Sequence, residues 1–200
     1  PREARALDAA YALGEAGPAA VAPLAQVLRD DPERRRRAAL ALSLIRESAP
    51  ALRDAADDPD PQVRALAVDA LAELPADPES VERLARALAD PEPWVRRHAA
   101  DSLGTLGADA APAADALAGA LADPVAFVRH NAATALMKIG PGAATAAPAL
   151  ALALRDPDRY VRSLAGTALR RIGTPEALDS LLETLLRERW CAVTDSVSRY

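Results

Sequence analysis

The chain has 200 residues, of which 50% are hydrophobic but only 3% are aromatic, and its formal net charge at pH 7 is −5. Alanine and leucine, both strong helix formers, supply most of the apolar content, whereas β-branched residues are too sparse for a sheet protein. The acidic balance argues against a dominant nucleic-acid or anionic-membrane surface and leaves room only for a local basic patch.

The N-terminal part of the chain carries two weak copies of a helical pattern. Residues 2–16 predict one helix without a preceding partner, and residues 38–45 predict part of another, with Leu13 and Leu42 in equivalent positions. Between them, residues 34–37 are all arginine and form the only block of like charge in the sequence. We interpret this block either as the solvated start of a helix or as a contact for an acidic partner.

From residue 58 onward the same pattern repeats clearly. Counting from the valine of each Val-Arg pair, alanine follows at position +4, leucine at +8 and leucine or isoleucine at +11, and these steps trace one face of an α-helix. The four valines and their leucines are Val63 and Leu71, Val95 and Leu103, Val128 and Leu136, Val161 and Leu169. A glycine, suited to a helix C-cap, follows three of these helices at Gly107, Gly140 and Gly173.

A second helix lies between successive copies, so each unit is a helix pair that recurs about every 29 to 33 residues. Its apolar residues are Leu24 and Leu28, Leu84 and Leu88, Leu117 and Leu121, Leu150 and Leu154, and Leu178 to Leu186. Prolines lie near the starts of these helices, where a missing N–H costs least, at Pro23, Pro112, Pro148 and Pro175. An Asp-Pro pair precedes each valine helix, and we predict its aspartate to be the N-cap at Asp58, Asp90, Asp123 and Asp156.

The motif DPxxxVRxxAAxALxxIG, seen in residues 90–107, 123–140 and 156–173, resembles the HEAT-like repeat family, in particular its short bilin-lyase type. The resemblance covers nearly the whole chain and implies an all-α fold, a right-handed α-solenoid of about six helix pairs, as one domain over residues 1–200 with an irregular tail at 191–200. It says little about function, since the family includes scaffolds, lyases, a hydroxylase and DNA repair enzymes.

Each aspartate of an Asp-Pro pair precedes an arginine by six residues, as Asp123 precedes Arg129. In HEAT-like families such residues form a hydrogen-bonded ladder between neighbouring units, so the resemblance assigns Arg129 to the scaffold, with ligand contact as the alternative. Asp31 and Arg37 keep the same step, but the alanines beside them are displaced by two residues. We therefore expect the second unit to be irregular.

The outward positions of the valine helices, −1, +3, +6 and +10, are the ones that the repeat leaves free to vary, so function is expected there. Trp94, Phe127 and Tyr160 share position −1 and would stack at the spacing of adjacent helices, about 8 to 10 Å. This row is either an anchor site for a peptide or helix on the concave face, or packing that closes the seams between units.

Charge on this face runs from acidic at Asp69 and Glu73 to basic at Lys138 and Arg171, which would orient an elongated ligand. The residues predicted to contact a partner are Trp94, His98, Asp101, Phe127, Asn131, Lys138, Tyr160 and Arg171. The leading interpretation is a non-enzymatic scaffold that binds a protein or peptide.

Catalytic chemistry has little support, because His98 and His130 are the only histidines and occupy different repeat positions. HEAT-like hydroxylases hold iron with His-Glu pairs, whereas this sequence has His130-Asn131, so we predict no catalytic residue, metal or cofactor. Trp94 and Asp101 superficially resemble a set in HEAT-like DNA glycosylases, which leaves nucleic-acid binding as one alternative. A bilin-lyase-like activity is another.

The ends of the chain and its compartment are further expectations. Cys191, the single cysteine, cannot form an internal disulfide, and charged residues interrupt every apolar run before the roughly 20 residues that span a bilayer. We expect a cytoplasmic protein. Because the chain starts at Pro1 with an uncovered helix, we also expect a piece of a longer protein, or a fused domain or capping subunit at this end.

Overall fold

The computed structural model describes residues 12–13 and 15–187, with the backbone alone for Arg187. These residues form eleven α-helices in two layers and contain no strand. The helices that contain the Val-Arg motif or its equivalent, here called ladder helices, are α2 (Arg35–Ser43), α4 (Pro61–Ala72), α6 (Pro93–Leu106), α8 (Ala126–Ile139) and α10 (Arg159–Ile172). The others, here called flanking helices, are α1 (Val21–Asp30), α3 (Ala49–Ala55), α5 (Pro78–Ala87), α7 (Ala114–Ala120), α9 (Ala147–Ala153) and α11 (Pro175–Arg187).

The two layers stack unit upon unit. Each ladder helix packs against the ladder helices before and after it and against its own flanking helices, and the flanking helices contact one another in the same order. Five ladder–flanking pairs follow α1 within the described residues. The predicted right-handed α-solenoid is therefore confirmed.

The core lies between the layers and is built from the repeat. Position +8 places a leucine there that is at most 1% exposed in α2, α4, α6, α8 and α10, and the alanine at position +4 is at most 3% exposed. Because alanine is small, neighbouring helices approach closely, and Gly104 shows how closely: a Cβ added there would lie 3.2 Å from the Cα of Ala135. Leu13 is an exception to the leucine pattern, since it is 43% exposed.

Ladder helices begin two residues later than the Asp-Pro motif predicts. Asp60, Glu92, Val125 and Asp158 are the N-caps, so the predicted assignment of the N-cap to the motif aspartates is wrong. Each motif aspartate instead accepts a hydrogen bond from the backbone N–H two residues on, as Asp123 Oδ1 does from Val125 at 2.8 Å. This local turn competes successfully with helix capping and leaves the second carboxylate oxygen available to another unit.

Glycine ends the last three ladder helices, α6, α8 and α10, as predicted. Gly107, Gly140 and Gly173 have φ values of 58°, 69° and 69°, which other residues rarely adopt. Gly140 also divides residues 126–153, which by length and composition alone could cross a membrane. In the structure this stretch is two helices, α8 and α9, joined by the 3-10 segment Gly140–Ala146, and both contribute to the protein core.

Two of the sequence-based expectations fall outside the part of the chain that the structure describes. Most of the predicted first helix, residues 2–16, is not described, and neither are Cys191 and the predicted irregular tail, residues 191–200. The expectation of a single domain that belongs to a longer chain stays a prediction.

Candidate binding surface of the ladder helices

An Arg–Asp ladder joins each seam from α4 to α10. Arg96 shows the geometry: its Nε and Nη2 donate to Asp123 of the next unit at 2.6 and 3.1 Å, and its Nη1 donates to the backbone oxygen of Asp90 at 2.8 Å. The two side chains are only 12% and 7% exposed. The same bidentate pairs join Arg64 to Asp90 and Arg129 to Asp156. The prediction that Arg129 belongs to the scaffold is confirmed.

Two of the ladder carboxylates, Asp123 and Asp156, have pKa values below the usual value for aspartate and are held in the ionised form. Burial alone would raise the pKa of Asp123, but hydrogen bonds from Arg96 and from the backbone of Val125 bring that pKa below its usual value. For Asp156, the hydrogen bond from Arg129 is the largest influence on the pKa and lowers it. Because these aspartates and their arginine partners stay charged and bonded to each other, their hydrogen-bonding groups are used within the scaffold.

The second unit uses a different arginine from the one that the Asp31–Arg37 spacing indicates. Arg35, only 6% exposed, donates to Asp60 at 2.6 Å and to the backbone oxygen of Arg29 at 3.4 Å, whereas Arg37 is exposed. Counted back from the buried Leu42, Arg35 is at position +1, the ladder position. The expected irregularity is thus confirmed, and its cause is the displaced register.

Arg162 occupies the ladder position in α10, the last ladder helix that the structure describes. Its Nη1 donates to the backbone oxygens of Asp156 and Pro157 at 2.7 and 3.0 Å, as in the other units. No carboxylate among the described residues accepts from it, and the side chain is exposed. The ladder therefore ends with an unpaired guanidinium in the described solenoid.

The outward positions of the ladder helices, here called the variable face, are all at least partly accessible to solvent. Trp94 is half-buried, and its ring meets His98 edge-on, with centroids 6.2 Å apart and planes at 85°. Phe127 and Tyr160 are 46% and 57% exposed, and the guanidinium of Arg159 lies 4.7 Å from the centre of the Tyr160 ring. Exposure along the aromatic row thus increases toward α10.

The other predicted contact residues are distributed along this face rather than gathered at one point. His98 Nδ1 lies 2.8 Å from Asp69 Oδ1, which links α6 to α4. Asp101, Lys138 and Arg171 are exposed and Asn131 is half-buried. The residues form an elongated surface and not a convergent catalytic site.

Sequence reasoning missed two features of the surface. The first is a groove of about 410 Å³ on the flanking layer, lined mainly by Asp77, Val81, Asp109 and Pro112. These residues come from the start of α5 and from the 3-10 segment Gly107–Ala113, and neither segment alone carries a recognisable motif. The second is the concentration of exposed arginines on α10, which the sequence does show, because Arg159–Ile172 contains four arginines and no acidic residue. Among the described side chains, no group of three or more His, Cys, Asp or Glu could hold a metal ion.

Comparisons with solved structures find the same architecture. An engineered protein is 23% identical, with a TM-score of 0.65, and the match covers 82% of this chain and 84% of that one. A designed armadillo repeat protein in complex with the peptide (KR)4 is 18% identical, with a TM-score of 0.60 over 83% of this chain and 91% of that one. These two likenesses show the fold alone.

A chain in the complex of CpcE and CpcF of phycocyanin lyase from Nostoc sp. PCC7120 is 25% identical, with a TM-score of 0.62 over 83% of this chain and 70% of that one. No curated protein sequence matches significantly. The family model for HEAT repeats matches residues 49–137 and 127–196, which together are more than half of the chain. With its Arg–Asp ladder and stacked helix pairs, the chain belongs to the HEAT-repeat family.

Proposed function

We propose that this protein is a non-enzymatic scaffold that binds a protein or peptide along the variable face. One observation carries the proposal: the chain has a single phenylalanine, Phe127, and it is 46% exposed in the same repeat position as Tyr160 and Trp94. A chain with so few aromatic side chains would gain more stability by burying them in its core. Their exposure in a row on a rigid layer of helices therefore favours a role in binding.

The physical properties of this row suit an anchor site. Fully burying a phenylalanine side chain contributes roughly 1.5–3 kcal/mol, and covering the 46% of Phe127 that is exposed contributes about half of that. Side chains on helices also lose little further freedom when a ligand binds. The remaining predicted contacts surround the row with hydrogen-bonding and charged groups: His98, Asp101, Asn131, Lys138 and Arg171. Apolar anchors with a polar rim are typical of protein and peptide binding surfaces.

The structural neighbours support the same class of function. The designed armadillo repeat protein is bound to a peptide, and CpcE and CpcF form a complex with each other. Both are repeat solenoids, an architecture whose extended surface suits an elongated partner. For this chain, the concave face and the contact residues remain our proposal.

Selection from a random peptide display library would test it. Peptides enriched on the wild-type protein should lose about tenfold or more in affinity for Phe127→Ala/Tyr160→Ala, because two anchor rings are removed. Fluorescence anisotropy with the enriched peptides measures the change. Trp94→Ala can be added, although its half-buried ring also contributes to stability.

A matched control removes exposed apolar area from the opposite layer. Leu152 and Leu182 lie on α9 and α11 and are 74% and 54% exposed, so Leu152→Ala/Leu182→Ala should bind the peptides like the wild type. Circular dichroism and thermal melting establish that both double variants are folded. Unchanged peptide affinity in the folded aromatic variant would contradict the proposal.

A further inference from the structure

We infer that the exposed side of α10 binds an acidic segment of the partner, so that a ligand lies on the variable face in one direction only. This inference rests on the proposed function. Four arginines carry it: Arg159, Arg162, Arg170 and Arg171 are all exposed, and none forms an ion pair with a described residue. They give α10 a charge of +4 in a protein whose net charge is −5.

The two acidic residues just before α10 have other hydrogen-bond partners. Asp156 is engaged by Arg129 in the ladder, and Asp158 caps α10 by accepting from the backbone N–H groups of Tyr160 and Val161. Arg64, Arg96 and Arg129 differ from the arginines of α10, since each donates to a nearly buried carboxylate. Arg162 lies close enough to Asp156 to lower the pKa of that carboxyl, so the positive charge that a ligand would meet is mainly that of Arg159, Arg170 and Arg171.

Three of the four arginines lie in two adjacent rows, whereas Arg162, nine residues before Arg171, lies on the opposite side of the helix from Arg171. Arg159 and Arg170 are eleven residues apart, about three helical turns, so they lie on the same side of α10 at a distance of about 17 Å along the axis. Tyr160 and Arg171 have the same separation and lie on the neighbouring side. An exposed aromatic ring thus stands beside the basic row, and Arg159 already contacts that ring.

Arg170 lies at a repeat position, +9, whose side chain differs from unit to unit. In α6 this position holds Gly104, where a Cβ would lie 3.2 Å from the Cα of Ala135 in the next ladder helix. In α8 it holds Met137, which is partly buried against the core. In α10 it holds an exposed cationic side chain.

Charge complementarity favours an acidic peptide over a nucleic acid as the occupant. The basic region is one helix long, whereas Asp101 and Glu73 are exposed farther along the same face and would repel a phosphate backbone that followed the solenoid. A peptide with Asp or Glu at one end and apolar residues at the other matches both the basic region of α10 and the aromatic row. Its acidic end would lie on α10 and its apolar residues over Phe127 and Trp94.

Binding of synthetic peptides tests the inference. The probe is a fluorescent peptide in which alternating Asp and Glu are joined to Leu-Trp-Leu, and its counterpart carries Lys and Arg instead. In low salt, the acidic peptide should bind at least about tenfold more tightly than the basic one, and Arg170→Glu/Arg171→Glu should weaken it about tenfold. The milder Arg170→Gln/Arg171→Gln should give an intermediate loss.

The matched control is Arg36→Glu/Arg37→Glu, which reverses two adjacent exposed arginines on α2 and changes the net charge equally. It should weaken the acidic peptide less than about twofold, because α2 lies four ladder helices away. If both charge-reversed proteins lost the same affinity for the acidic peptide, the effect would come from net charge and not from α10, and the inference would be overturned. Failure of the acidic peptide to bind the wild type would do the same.

Two further outcomes separate the proposals. If Phe127→Ala/Tyr160→Ala loses peptide binding but Arg170→Glu/Arg171→Glu keeps it, the proposed function stands and the acidic-segment inference fails. If instead Arg170→Glu/Arg171→Glu loses peptide binding and Phe127→Ala/Tyr160→Ala keeps it, α10 binds the acidic segment and the aromatic row is not the anchor site. Tighter binding of oligodeoxythymidine than of the acidic peptide, lost in Arg170→Glu/Arg171→Glu, would assign the surface to nucleic acid and overturn the inference.

Discussion

Arginine occupies two contrasting environments in this protein, the seams between ladder helices and the exposed side of α10. Arg96 and Arg162 share one repeat position and make the same backbone hydrogen bonds within their own units. Arg96 is 12% exposed and pairs with Asp123, whereas Arg162 is exposed and meets no described carboxylate. The local motif thus orients the guanidinium, and the following unit decides whether it is structural or available for binding.

Position +9 shows the same contrast in steric terms. Gly104 lies in the seam between α6 and α8, in contact with the backbone of Ala135, while Arg170 projects from the last described ladder helix. Position +9 also holds Met137 in α8, where the side chain is partly buried against the core. The environment of this position thus ranges from a tight seam at Gly104 to an exposed surface at Arg170.

The largest effect is expected from breaking the ladder inside the solenoid. Arg96→Leu leaves Asp123 nearly buried without its bidentate partner, so we expect the free energy of unfolding to fall by about 3 kcal/mol. Arg162→Leu, at the last described ladder position, is the matched control and should change the free energy of unfolding by less than about 0.5 kcal/mol. Urea unfolding followed by circular dichroism measures both, and equal losses would remove the distinction between the two environments.

A smaller effect is expected from filling the seam. Gly104→Leu should destabilise the protein by about 1–2 kcal/mol, because overpacking against Ala135 outweighs the roughly 1 kcal/mol gained by removing glycine from a helix. Arg170→Ala, at the equivalent exposed position, should stay within about 0.5 kcal/mol of the wild type. Thermal melting of the two variants makes the comparison, and a stable Gly104→Leu protein would mean that the seam is looser than the structure indicates.

The smallest expected effect is the pH dependence of stability contributed by each ladder aspartate. The folded-state pKa values of Asp123 and Asp156 lie below their usual values, so their contribution to stability is complete at neutral pH and is lost as pH falls below about 4 toward the folded-state pKa values. Urea midpoints measured between pH 7 and pH 3 should decline in this acidic range. Arg96→Leu should show a weaker decline, since Asp123 then loses the arginine hydrogen bond that lowers its pKa.

Much of the fold could be predicted because its signals are local. Helical spacing identified the leucines at position +8, and the glycines after the ladder helices have the expected positive φ. The aspartates of the Asp-Pro motif were assigned wrongly as N-caps, since an aspartate that closes a turn and one that caps a helix look alike in sequence. The candidate site was less predictable, because exposure of Trp94, Phe127 and Tyr160 differs although their repeat positions agree.

By itself, the sequence determined most of the helix pairs, their period and the buried side of the ladder helices, because these follow from spacing along one chain segment. Only the tertiary structure decided that Arg35 and not Arg37 enters the ladder, that His98 meets Asp69, and that Arg162 has no described acidic partner. Such contacts depend on the offset and distance between neighbouring helices. Those quantities arise from the packing of many side chains together and leave no mark in the periodicity of any one helix.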